Sequence, residues 1–213
     1  MKLKNYLLLA SLPIFFFACN TNQENKKEKS DTIKMIDPES SKHLAFKGVP
    51  IDGTLKEYVA RMQKSGFSLV GTEDGVALLQ GDFAGHKKCK VYVSTIEGND
   101  IVSFIIVEFP EHNTWEYLYD DYKHLKELLT EKYGQPSSVK EEFQGYRFPN
   151  ESDDDKIRKV RMDECKYETR FDTGKGEIVL WIEHERTIST FVCLQYSDKI
   201  NRTIVKQQAI NDL

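Results

Sequence analysis

The residues able to do chemistry are spread unevenly along the chain. Cys19 stands where a strongly apolar stretch, Leu7–Phe17, gives way to one rich in Asn, Lys and Glu. The thiolate is a nucleophile, so a thiol at such a seam is a candidate for chemistry. Asn150-Glu151-Ser152-Asp153-Asp154-Asp155 is the most acidic run. Clustered carboxylates can hold calcium, but the glycine and distal glutamate of an EF-hand loop are missing, and the run reads as a solvated loop. His184 lies between Glu183 and Glu185, without the second histidine four residues on that a zinc-protease helix needs. His43, His86, His112 and His124 are scattered through polar sequence and read as surface residues. No nucleophile elbow, phosphate-cradling loop or dinucleotide fingerprint occurs. In a chain with 34 acidic residues, the mere presence of paired carboxylates decides nothing about hydrolysis.

The first residues supply an address. Lys2 and Lys4 precede an apolar run too short to cross a bilayer, which takes roughly 20 residues, and with the flanks of a secretory signal. Phe16-Phe17-Ala18-Cys19 resembles a bacterial lipobox, with Phe16 where leucine is commoner. The resemblance implies cleavage after Ala18 and a diacylglycerol on the Cys19 sulfur, with a further acyl chain, such as palmitate, on its amine. Each buried methylene contributes about 0.8 kcal/mol, so two or three chains hold where one does not. Asn20, rather than aspartate, resembles an outer-membrane sorting signal. The expected compartment is the bacterial cell envelope. Cys89, Cys165 and Cys193 then remain, and an odd number permits at most one internal disulfide. Cys193 sits inside the apolar run Phe191-Val192-Cys193-Leu194 and reads as a buried hydrophobe. Cys89 and Cys165 both fall near strand starts and form the preferred pair. No C-x-x-C spacing suggests a zinc ribbon or redox motif, and no cofactor or metal site is expected.

Behind the leader, residues 20–42 hold few apolar side chains. Such composition cannot offset chain entropy, so residues 19–45 read as a flexible tether, about 25–30 Å in reach as a random coil. Residues 1–18 carry two of the 30 basic residues and none of the 34 acidic ones, which makes the mature chain more acidic. A mildly acidic, mixed-sign surface argues against nucleic acid, which selects clustered Lys and Arg.

The elements that must position any site repeat themselves. Thr54 and Glu57 make a capping box, Leu55, Tyr58, Val59 and Met62 fall on one helical face, and Gly66 stops the helix. The spacing predicts a helix over 54–65. Asn113 and Glu116 repeat the box. Trp115, Leu118, Tyr119, Tyr122, Leu125, Leu129 and Tyr133 form a longer stripe, and Gly134 with Pro136 ends it, which predicts a helix over 114–133. Strands are expected near 67–72, 76–83, 89–96 and 101–109 after the first helix. After the second they are expected near 138–144, 165–172, 176–183 and 188–196. Gly, Asn and Asp at the breaks supply hairpin turns. The fold class is α+β: a first helix-plus-four-strand unit over 46–111, a second over 112–200 and a tail over 201–213, the two antiparallel sheets either separate or merged into one curved sheet.

Tandem units of this length resemble the fold of the β-lactamase inhibitor protein. The stretch LKELLTEKYGQP, followed by strands and closed by YSDKIN, is similar to uncharacterised envelope lipoproteins of anaerobic gut bacteria, over most of residues 45–200. The resemblance implies a fold and a compartment; it brings no catalytic residues.

Two strands are apolar on both faces. In IVSFIIVEF, Ile101, Ile105 and Val107 oppose Val102, Phe104 and Ile106; in IVLWI, Ile178, Leu180 and Ile182 oppose Val179 and Trp181. Such strands must be covered on both faces. One helix per unit covers one. The other meets the partner unit or an external surface, which makes Phe104, Ile106 and Trp181 interaction candidates, with Tyr92 extending them. The expected function is a non-catalytic, membrane-tethered binding module for a protein or a cell-wall glycan. The alternatives are an envelope hydrolase with a site assembled from distant residues, and a structural component of an outer-membrane assembly.

The lipobox predicts that cells fed an alkyne fatty acid label the wild-type chain and that C19A abolishes the label and frees the protein from membranes. An unmodified thiol on Cys19 in native material removes the anchor.

Overall fold

A computed structural model describes residues 42–96, 98–145, 151–185, 189–211 and 213; Cys19, the leader and the tether up to residue 41 lie outside the described residues. In chain order the elements are β1 (Ala45–Phe46), β2 (Val49–Pro50), α1 (Leu55–Lys64), β3 (Ser68–Glu73), β4 (Val76–Phe83), β5 (His86–Thr95), β6 (Val102–Glu108), α2 (Trp115–Tyr133), β7 (Ser138–Phe143), α3 (Asp153–Arg161), β8 (Cys165–Thr173), β9 (Gly176–Glu185), β10 (Ser189–Asp198) and α4 (Lys199–Asn211).

Strands β3 to β10 form a single antiparallel sheet in the order β3-β4-β5-β6-β10-β9-β8-β7. The last strand of each run therefore lies at the centre, with Ile106 opposite Gln195 and Cys193 opposite Glu108. The two runs are joined edge to edge, not face to face. Tight turns with positive φ at Asp74-Gly75 and Ala84-Gly85 match the right-handed twist of the strands they join.

The helices α1, α2 and α3 all pack on one face. Leu55, Tyr58 and Met62 of α1 and Leu118, Tyr122 and Leu125 of α2 share a core with Leu79, Val91, Ile105, Ile178, Leu180 and Leu194. Tyr122 Oη, carried into this core, lies 2.6 Å from Thr169 Oγ1, as a buried hydroxyl requires. Phe67 lies over Gly81, where a Cβ would stand 2.5 Å from its ring.

Several expectations need correction. The box at Asn113 and Glu116 does not form: Thr114 is the N-cap and makes no side-chain cap bond. The cap arrives from elsewhere, as Asp153 accepts from the backbone N–H groups of Trp115 at 3.0 Å and Glu116 at 2.8 Å. The acidic run is a helix start instead of a loop. Ser152 and Asp155 form its capping box, and the three aspartates of the first turn meet the positive end of the helix dipole. The expected tail is α4. Leu44 is buried, two residues before the expected domain start. A register shift between Ser94 and Thr95 places Val102 in the helix-side core, not beside Phe104.

Asp198, the last residue of β10, is fully buried. Its carboxylate accepts from Leu44 N at 2.7 Å and Asn201 N at 3.0 Å, and lies 3.1 Å from His43 Nδ1. Asn201 in turn donates to the carbonyls of Ile51 at 2.9 Å and Val102 at 2.8 Å. D198A strands these buried donors, so an expected loss of about 3 kcal/mol reads as a lowered urea midpoint, with D198N intermediate. An unchanged midpoint shows that the network does not hold the domain together.

Candidate functional site

The sheet face opposite α1, α2 and α3 is assembled from alternate residues of the same strands that build the core. The strand registers align one row as Leu78, Tyr92, Ile106, Gln195, Val179 and Arg170. A second runs through Glu108, Cys193, Trp181 and Glu168, and a third through Val76, Ser94, Phe104, Ser197 and Glu177. Tyr92, Phe104, Ile106 and Trp181 all emerge half-buried on this face. The structure therefore brings the four residues onto one surface, spread over β5, β6 and β9. Tyr92 and Ile106 are direct cross-strand neighbours, whereas Trp181 stands two strands away from β6.

The charges here are largely matched in place. Lys90 Nζ lies 2.5 Å from Glu108 Oε1, and Tyr92 Oη donates to Glu108 Oε2 at 3.2 Å. Arg170 contacts Glu168 at 2.7 Å and Glu177 at 3.3 Å. Trp181 Nε1 donates to Glu183 at 3.0 Å. The Arg170 pairs are exposed enough to add little stability, below about 1 kcal/mol each, whereas Glu108 is buried. The effect of these pairs is to orient side chains and leave the middle of the face close to neutral. Partial burial, with Glu108 beside it, raises the Tyr92 phenol above its ordinary range, so it stays a neutral donor.

At one end the face deepens. Helix α4 leaves β10 directly at Asp198 and bounds a groove of about 990 Å³, floored by Phe104, Gln195 and Ser197 and walled by Lys199, Arg202 and Lys206. Arg202 is held by Glu177 at 3.1 Å. Sequence reasoning missed this wall because Lys, Arg and Gln interrupt any apolar stripe in α4. The available signal was Asp198 three residues before Asn201, an N-cap pattern.

The histidines are less scattered than their spacing suggests. Asp121 Oδ2 lies 2.6 Å from His112 Nε2 and 3.6 Å from His86 Nδ1, so residues far apart in sequence share one carboxylate on α2. His184 Nε2 lies 2.9 Å from Asp163 Oδ1. Among the described residues, no group of three or more His, Cys, Asp or Glu side chains is arranged to hold a metal ion.

The pairing of Cys89 with Cys165 is wrong. Both are free, as is Cys193. Cys89 is on β5 and Cys165 on β8, four strand positions apart, or about 19 Å at the usual strand spacing, far beyond disulfide reach. Burial pushes the Cys89 thiol up to about 11 and the Cys165 thiol up to about 12, and raises Cys193 too. None is a thiolate near neutrality. Iodoacetamide at pH 8 is therefore expected to alkylate all three at least tenfold more slowly in the native chain than in urea. All three should be found free by peptide mapping without reductant. A Cys89–Cys165 linked peptide overturns the assignment.

No helix of the described residues is long and apolar enough to cross a membrane. Comparisons with protein-family models, with curated proteins and with solved structures gave no match to this chain.

Proposed function

We propose that the protein is a lipid-anchored component of a bacterial cell envelope. In this reading it is held through Cys19 and works as a binding module that offers the open sheet face to an envelope protein or glycan. The observation that carries the reading is the placement of Tyr92, Phe104, Ile106 and Trp181, half-exposed on the face opposite the three core helices. Aromatic residues are enriched in contact patches, and apolar side chains gathered on one face of a folded domain suit an interaction surface. The tether composition of residues 20–42 suits a domain held away from the lipid surface.

We infer two tandem helix-plus-four-strand units, as in the β-lactamase inhibitor protein fold. The mirrored strand order, with β6 and β10 meeting at the centre, supports it.

A photo-crosslinking residue placed at Ile106 or Trp181 in living cells is expected to capture an envelope component. The same residue at Glu127, on the exposed side of α2, is not. W181A is expected to reduce the capture at Ile106 at least tenfold with unchanged thermal stability. Equal capture at all three positions, or none at Ile106 and Trp181, sinks the binding-face reading.

A further inference from the structure

We propose that the groove between α4 and the open sheet face binds an acidic oligosaccharide in which a carboxylate recurs on alternate sugars. The inference rests on the open face being a binding surface and names the ligand class for the groove at its end.

The charge pattern is the first argument. Lys199, Arg202 and Lys206 all line the groove, at the i, i+3, i+7 spacing that puts them on one face of α4. Arg202 is matched by Glu177, which also takes Arg170. Among the described residues, Lys199 and Lys206 have no carboxylate in ion-pair reach, and both are exposed. Two uncompensated cations therefore stand seven residues apart along the groove, about 10.5 Å by helical rise, close to one disaccharide repeat. An anion seated there gains attraction without displacing an existing partner.

The floor is the second argument. Gln195 and Ser197 line it, bonded to each other at 2.7 Å, as does buried Ser103, whose hydroxyl donates to Ser94 O at 3.2 Å, so the half-buried Gln195 carboxamide, with a free N–H and its carbonyl, is the floor group that can both donate and accept. Asp172, exposed and without an ion-pair partner among the described residues, supplies a further acceptor. A polyhydroxyl ligand uses such a mixture; a simple anion does not. Phe104, half-buried, offers a ring against which the C–H face of a sugar can lie.

The groove is poorly suited to a peptide. It lies over β6, β10 and β9, interior strands whose ladders are already paired on both sides. A peptide that binds by strand addition needs a free sheet edge, and the groove has none.

The test uses the full lipid-bearing chain in detergent micelles. Its titration with a hexasaccharide of alternating glucuronate and N-acetylglucosamine is compared with a neutral N-acetylglucosamine hexamer. Expected are saturable binding of the acidic hexamer, at least tenfold weaker binding of the neutral one, and weakening of the acidic complex as salt rises. K199E and K206E, both at exposed positions, are expected to lower affinity at least tenfold each at unchanged melting temperature, whereas K64E on α1 leaves it unchanged. Equal binding of the two hexamers, no saturable binding, or full affinity in K199E/K206E overturns the proposal. If the hexamer fails while crosslinking at Ile106 persists, only the ligand class falls; if both fail, the open-face reading falls with it.

Discussion

The buried carboxylate of Asp198 is the constraint on which the described domain depends. A charge withdrawn from water costs several kcal/mol unless it is met by donors. Here the donors come from two parts of the chain: the backbone of Leu44, just before the first hairpin, and that of Asn201, in the first turn of α4. Asn201 then spends its own carboxamide on Ile51 and Val102. Entry segment, central strands and final helix are thereby fixed to one another at a single buried point. The network also sets the direction in which α4 departs, and so makes a wall for the groove.

The second constraint is the two-sidedness of the central strands. β6, β9 and β10 send Ile105, Ile178, Leu180 and Leu194 into the helix-side core, and Ile106, Trp181 and Cys193 to the other face. A sheet covered on one side only would alternate apolar with polar. Here the outward positions stay apolar at the centre, while matched ions such as Lys90–Glu108 and Arg170–Glu177 gather around them. Cys193 is buried, between Glu108 and Trp181 in the cross-strand row. The face is built as a surface, with packing among its own side chains, and is not a core left unfinished.

Legibility in the sequence followed the strength of local pattern. The helices with clear apolar stripes, α1 and α2, and all eight long strands could be read within a few residues, because periodicities of 3.6 and 2 survive without tertiary context. What failed was whatever depends on a partner distant in sequence. Asp153 caps α2 from 37 residues away or more, which no local box reveals. Ser152-Asp153-Asp154-Asp155 looked like a solvated loop because only Ile157 and Val160 anchor α3 as buried apolar residues. The disulfide pairing failed because strand order is not chain order: β8 is far from β5 once β6 pairs with β10. At the site, the apolar outward residues were visible from unbroken apolar runs. The cationic wall and the shared carboxylate of His86 and His112 were not, since each needs the fold to bring it together.

An open eight-stranded sheet offers a partner either an edge or a face, and the two edges are not equivalent to that face. β7 presents Lys140, Glu141 and Glu142, with Lys140 paired to Glu142 and Lys126 reaching Glu141. Charges along an edge oppose strand addition. β3 is more apolar, with Leu69 and Val70 exposed, but its register shifts between Leu69 and Gly71, and a bulge breaks the regular row of donors and acceptors that an added strand would need. Neither edge is a clean template. On the outward face the rows through Tyr92 and Glu108 stay in register across β5, β6, β10 and β9, the β5–β6 ladder shifting only at Ser94 and Thr95 beside the groove, and they are rigid because their opposite side is the core. Recognition by a preorganised face loses less ordering entropy than recognition by a loop. That difference favours the face, and the groove at its end, over either edge for the binding role proposed above.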